Sequence, residues 1–306
     1  MATLKILVPA PRITVYDDLS HPTLGLTFRA PTEPPDFDPP EDVSPNSDEI
    51  AAMAFVDGAL ENNLSETITA VSGVDESDFC KFTAMQFGME SDLFRARGSK
   101  RAHDEALLNT ILEHADQLLD GMRIDYCRLD VPQMCFGVPG YIPGKNKHAA
   151  FIFDPESDDG RIIAREPDVP VAMPGIGLDF DSISSSFVDP LITDTFPPGA
   201  LGLRLKRLLR TFANALAATS DESKILTIVF ALDGILTTEN STSEQFKRFI
   251  GVSASSNSAE FQRQFDRFRD FYTTVRNPLV HHGKSYSDWV HSRFAVVVLS
   301  GFQGSC

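Results

Sequence analysis

Over the first thirty residues, apolar runs alternate with polar and proline-bearing stretches: Leu4 to Val8, Ile13 to Tyr16 and Leu24 to Phe28. Runs this short, bounded by turn-forming residues, predict small β-strands. Helical spacing comes later. Asp48 to Leu60 opens on an N-capping residue, and from Asp104 to Met122 the residues Leu107, Leu108, Ile111, Leu112, Leu118 and Leu119 gather on or near one face. Ala149 to Phe153 and Arg161 to Ala164 flank an Asp/Gly turn and predict a hairpin. This part of the chain reads as mixed α and β.

After Pro197 and Pro198 the pattern becomes helical throughout. Leu201 to Ala217 sets Leu203, Leu205, Leu208, Leu209, Phe212 and Leu216 on one side, with Arg204, Lys206, Arg207 and Arg210 largely elsewhere. Asp221 to Leu236 is apolar on most sides and predicts a buried, central helix. Ser243 to Val252 is a shorter element, with Ser241 or Ser243 as its cap and Glu244 in its first turn. Phe261, Phe265, Phe268 and Tyr272 recur at helical spacing and give a fourth helix an aromatic stripe; Asp288 to Phe302 supplies a fifth. Short connections favour an antiparallel bundle. The expected fold class is therefore α+β, with a mixed α/β domain over residues 1–195 and an all-α antiparallel bundle over 196–306. Six prolines among acidic residues near 31–49 predict an exposed loop.

Charge separates the same two parts. Residues 196–306 hold 13 Lys+Arg against 9 Asp+Glu, a balance of +4, whereas residues 1–195 hold 14 against 34, a balance of −20. A net charge of −16 argues against a nucleic-acid partner for the chain as a whole, because phosphate neutralisation supplies most non-specific affinity. A mildly basic domain beside a strongly acidic one leaves two readings open: RNA binding on one surface that the acidic part repels or masks, or an acidic part that only maintains solubility.

With 42% hydrophobic and 23% charged residues the composition is that of a globular protein. Met1 to Val15 has no basic stretch followed by a sustained apolar core. The strongest apolar run, Ile225 to Leu236, is too short to span a bilayer and contains Asp233. The expectation is a soluble, cytoplasmic protein with no membrane partner. Cys80, Cys127, Cys135 and Cys306 form no CxxC pair, which argues against zinc and against a disulfide framework and leaves buried or idle thiols. The remaining histidines, His21, His103, His114, His148 and His291, have no metal-ligand spacing, so neither metal nor cofactor is expected.

Two apparent motifs fail on their chemistry. Gly140 to Asn146 resembles a phosphate loop, but only three residues separate Gly140 from Gly144, and Asn146 stands where the metal-binding hydroxyl belongs. Asp154 to Glu166 approaches calcium-loop spacing, yet Pro155 and Ser157 disrupt the early ligand positions, so enough oxygens cannot converge. Turns account for both.

The chemistry-bearing sequence is Arg276-Asn277-Pro278-Leu279-Val280-His281-His282-Gly283, at the end of the aromatic helix. A guanidinium that forks onto phosphate oxygens, beside an imidazole that moves protons near neutral pH, is the minimum equipment for cutting RNA without a metal. This segment resembles the HEPN superfamily, and more narrowly its Apea-like branch, in which an aromatic-rich helix runs into Arg, an aliphatic pair and His-Gly. Ala231-Leu232-Asp233 on the preceding helix fits the same layout. The resemblance covers about the last 110 residues and is specific only around Arg276 to Gly283.

The resemblance implies a metal-independent endoribonuclease in prokaryotic antiviral defence, abortive infection or stress response, in which the ribose 2′-hydroxyl attacks the adjacent phosphate and leaves a cyclic phosphate. His281 would be general base or acid, with His282 as substitute or assistant. Arg276 would stabilise transition-state charge, and Asn277 would orient one of them. One histidine cannot comfortably perform both proton transfers, so the resemblance implies a homodimer through the bundle. RNA, transfer RNA included, would be the partner, and the N-terminal domain would receive a trigger or regulatory ligand.

Other readings stand beside these. Asn277-Pro278 is a good helix start, with Asn277 as a cap, Pro278 at the first helical position and Gly283 as C-cap. Asp233 would hold Arg276 or face solvent. The cluster Arg204, Lys206, Arg207 and Arg210 would track an RNA backbone or form a solvated helix face. The rival functional reading is a catalytically inactive HEPN-like module that dimerises or binds nucleotide or RNA.

Overall fold

The computed structural model describes residues 2–32, 73–95, 100–128, 134–168, 171, 177–193, 195, 199–218, 220–236, 245, 247–248, 251–252 and 255–277. Within these the fold is α+β, and the chain divides into two compact units, residues 1–197 and 198–306.

In the first unit, Ala2–Pro9 forms β1, an inner strand of a seven-stranded antiparallel sheet. It pairs with β5 (Ala84–Ser91) on one side and with β7 (Lys147–Asp154) on the other. Short strands β3 (Leu19–Ser20) and β4 (Thr27–Arg29) extend the sheet beyond β5; β6 (Tyr141–Ile142) and β8 (Asp159–Arg165) both pair with β7. A separate parallel pair joins β2 (Ile13–Val15) to β9 (Leu178–Phe180).

Both faces of β1 are covered, which explains why Leu4 to Val8 is apolar nearly without interruption. Leu4, Ile6 and Val8 share one face and are fully buried. In register with them are Met89, Phe87 and Met85 of β5. Helix α2 (Lys100–Tyr126) packs across β5, β1, β7 and β8. The His114 ring of α2 lies 5.3 Å from that of Phe87, which places this face under α2. Leu107, Leu108, Ile111, Ala115, Leu118, Leu119 and Met122 are its buried stripe. Each of the larger side chains contributes about 1.5–3 kcal/mol on leaving water. The opposite face carries Leu7, Phe151 and Phe153, which cluster with Phe79 of α1 (Glu76–Cys80) and with Val74 and Ile142. A four-residue helix α3 (Asp189–Ile192) packs on α2.

The predicted hairpin is β7–β8, in register from His148↔Arg165 to Asp154↔Asp159. Its turn contains the calcium-like spacing. Asp154 is wholly buried and accepts from Arg95, from the Ser157 hydroxyl at 2.8 Å and from the Glu156 amide at 3.0 Å, so its oxygens close the turn. The phosphate-loop look-alike is likewise a turn, between β6 and β7, with Asn146 in the left-handed region at φ 50°. Lys145 of that turn sits 3.4 Å from the buried carboxylate of Asp78.

In the second unit, α4 (Ala200–Ala217) and α5 (Asp221–Leu236) pack on each other across a three-residue connection, and α6 (Ser258–Phe271) follows. Of the predicted apolar side of α4, Leu209 and Leu216 are buried, Leu205, Leu208 and Phe212 are half-buried and Leu203 is 54% exposed; Ala213 and Ala215 are buried beside them. The expectation of an all-round buried α5 does not hold among its described side chains. Val229 and Ala231 are buried, but Ile225, Leu226 and Ile228 are half-buried and Phe230 is 53% exposed. Among the described residues its principal packing partner is one helix, α4, and one helix covers only part of another's circumference. The predicted helices Asp48 to Leu60 and Asp288 to Phe302 and the Pro/acidic segment from residue 33 onward lie outside the described residues, as does most of Ser243 to Val252.

Candidate functional site

Helix α6 opens with Asn257, whose side chain accepts the Glu260 amide at 3.0 Å. The Glu260 carboxylate reaches back to the Ser256 hydroxyl at 2.6 Å and the Ser256 amide at 2.9 Å, and these bonds hold it below its ordinary carboxylate range. The start of the helix is thereby fixed by reciprocal side-chain bonds. Along it runs the predicted aromatic stripe: Phe261 and Phe265 stack at 5.8 Å, and Phe268 and Tyr272 meet at 6.1 Å. Gly251 comes so close that a Cβ there would stand 3.0 Å from the Phe261 ring, which brings the short helical stretch around Lys247 against the same stripe.

The helix does not end at Phe271 but widens into a π-helical turn, Tyr272–Arg276, whose following amide, that of Asn277, donates to the Tyr272 carbonyl. Three successive β-branched residues, Thr273, Thr274 and Val275, crowd the helical surface here. The Thr273 and Thr274 hydroxyls donate back to the carbonyls of Arg269 and Asp270, at 2.9 and 2.7 Å. Such back-bonding perturbs regular helix, and π turns occur frequently at functional positions.

The Arg276 guanidinium carbon lies 4.8 Å from the Tyr272 ring centroid, and the Lys247 ammonium lies 5.4 Å from the same centroid. Arg276 Nη1 also donates to the Asn277 amide oxygen at 3.2 Å. Further back, Arg269 lies 5.6 Å from the Phe265 centroid. The rings that carry these cations are themselves buried, Phe265 and Tyr272 each being 8% exposed, so the charges and not the ring faces are what the arrangement can offer a phosphate.

Of the predicted site residues, Arg276 and Asn277 are thus together and in contact. Asn277 has helical dihedrals, φ −65° and ψ −43°, and follows the π turn as a helical residue instead of adopting the extended conformation of an N-cap. Pro278, His281, His282 and Gly283 lie outside the described residues. Asp233 is carried on α5, and its side chain is outside the described set. Arg204, Lys206, Arg207 and Arg210 are on α4, where only Arg207 is exposed and the other three are half-buried.

Lys247 was not among the predicted site residues and left no sequence signal, since its proximity arises from a non-local contact; Tyr272 is 8% exposed, as a core reading of the aromatic stripe requires. Among the described residues no group of three or more His, Cys, Asp or Glu could hold a metal ion, and no helix is long and apolar enough to cross a membrane. The chain matches no protein-family model, no curated protein and no solved structure.

Proposed function

We propose that the C-terminal unit is an RNA endonuclease of HEPN type that works without a metal, built as a helical bundle and centred on Arg276, Asn277, His281 and His282. The observation that carries this reading is the pair of cations, Arg276 and Lys247, on the Tyr272 ring. A phosphate beside Arg276 meets a guanidinium suited to its oxygens, and Asn277 holds that guanidinium by a hydrogen bond. A histidine supplied five or six residues further along the chain would take the proton from the ribose 2′-hydroxyl. A second proton must reach the leaving oxygen, and a second copy of the chain provides that donor in a homodimer. The role in prokaryotic defence and the regulatory role of the N-terminal unit rest on the family resemblance and on the charge asymmetry.

The test is incubation of the full chain with total RNA and with transfer RNA in EDTA, beside folded His281→Ala and Arg276→Ala variants. Cleavage by the parent, with cyclic phosphate ends, and its loss in both variants is the expected result. Equal cleavage by parent and variants would overturn the assignment. A second reading, an RNA-binding module without catalysis, is favoured by the same two cations, since charge attraction to phosphate needs no proton transfer. It predicts RNA retention by the parent with no cleavage.

A further inference from the structure

Two of the thiols that sequence spacing left idle are neighbours in space. Cys127 follows the last residue of α2 and keeps a helical bond, its amide donating to the Arg123 carbonyl at 2.9 Å. Cys135 lies in the segment leading to β6, and both are buried thiols outside any disulfide, with 6% and 3% of their surface exposed. Their thiols hydrogen-bond to each other, and the Phe136 amide donates to the Cys127 sulfur.

The juxtaposition is built by their neighbours. Tyr126, next to Cys127, packs edge-on against Phe180 of β9 at 4.9 Å, and Phe136, next to Cys135, meets the same ring at 5.9 Å. One ring therefore holds both backbone stretches. Gly137 anchors the second stretch: its amide donates to the Pro11 carbonyl at 3.0 Å, and a Cβ there would stand 2.3 Å from that oxygen. The thiols are thus positioned by aromatic packing and close backbone approach, independently of any bond between them.

We propose that Cys127 and Cys135 form an oxidisable dithiol that closes to an intrachain disulfide, tying the C-terminal end of α2 to the segment that leads into β6. The oxidant is a low-molecular-weight disulfide. One cysteine thiolate attacks a sulfur of the oxidant and releases one small thiol. The second cysteine then attacks the protein sulfur of the mixed disulfide and releases the other, so two protein thiols lose two electrons and two protons and one small disulfide becomes two thiols. The hydrogen bond with Cys135 and then burial push the Cys127 thiol above its ordinary range, which makes the native reaction slow. The bond would place an oxidation-sensitive staple at the end of the helix that covers the sheet.

The test uses the full chain under native conditions with oxidised glutathione, followed by alkylation, proteolysis and mass spectrometry. A cross-linked peptide joining Cys127 to Cys135, reversed by dithiothreitol and abolished in folded Cys127→Ser and Cys135→Ser variants, is expected. The oxidised form should also melt several degrees above the reduced one. Persistence of both as free thiols, pairing of either with Cys80 or Cys306, or cross-linking only in denaturant would overturn the proposal.

Discussion

Arg276 stacks over Tyr272 with its guanidinium carbon 4.8 Å from the ring centroid, and the ring also attracts Lys247 from another helical stretch at 5.4 Å. A phosphate beside this pair would gain attraction from both charges. Arg276→Gln and Lys247→Gln are each expected to weaken binding of single-stranded RNA about tenfold, the order of one cation–π or phosphate contact. Tyr272→Phe should leave it within about twofold, because the ring face is retained. Fluorescence anisotropy at several salt concentrations checks both, and a salt slope unchanged by Arg276→Gln would count against phosphate contact.

His21 and His148, both in the N-terminal unit, are lowered from their ordinary value of 6.5, chiefly by burial; Asp189 and Asp125 oppose this at His21, while Arg165 reinforces it and Asp168 opposes it at His148. A histidine protonated more readily in the unfolded chain favours unfolding in acid. The stabilisation from keeping these rings neutral is full above about pH 6.5 and is lost as pH falls through the lowered folded values. Protection factors of α2 and β7 peptides, which already divide out the intrinsic fall in amide exchange, should therefore drop between pH 7 and 5, and His148→Asn should reduce that drop.

Asp154 titrates in the same direction at lower pH. Arg95 donates through two nitrogens to its carboxylate, with the Ser157 hydroxyl adding a third bond, and holds it well below the usual carboxylate range. Stability from these bonds is present above about pH 4 and declines as the carboxylate protonates. Asp154→Asn is expected to lower the melting temperature at pH 7 and to flatten its fall in acid, read by calorimetry. An unchanged acid limb would remove Asp154 as its cause.

Gly140 has φ +79°, and a Cβ there would stand 2.2 Å from Leu112 Cδ2 and 3.2 Å from the Ala149 carbonyl. Gly140→Ala combines backbone strain with overpacking between α2 and the sheet, and is expected to cost about 1–3 kcal/mol in urea denaturation. Gly144→Ala, which meets nothing within 4 Å, serves as the near-neutral comparison.

Periodicity alone determined the elements whose burial is one-sided or continuous. Leu4 to Val8 announced β1, the Leu/Ile stripe announced α2, and Phe261 to Tyr272 announced α6, because core-facing positions must recur at the period of the backbone they sit on. Strand β5 was not legible: Met85, Gly88, Glu90 and Ser91 carry neither β-branched enrichment nor alternation, and the strand exists because β1 and β4 pair with it on both sides. Arg276-Asn277 was visible as a motif, and the four-residue spacing of Tyr272 and Arg276 already sets those two on one helical face, whereas Lys247 and the Cys127–Cys135 contact depend on segments brought together from elsewhere. Local spacing encodes which face of an element is apolar; which face meets which is decided only when the elements pack.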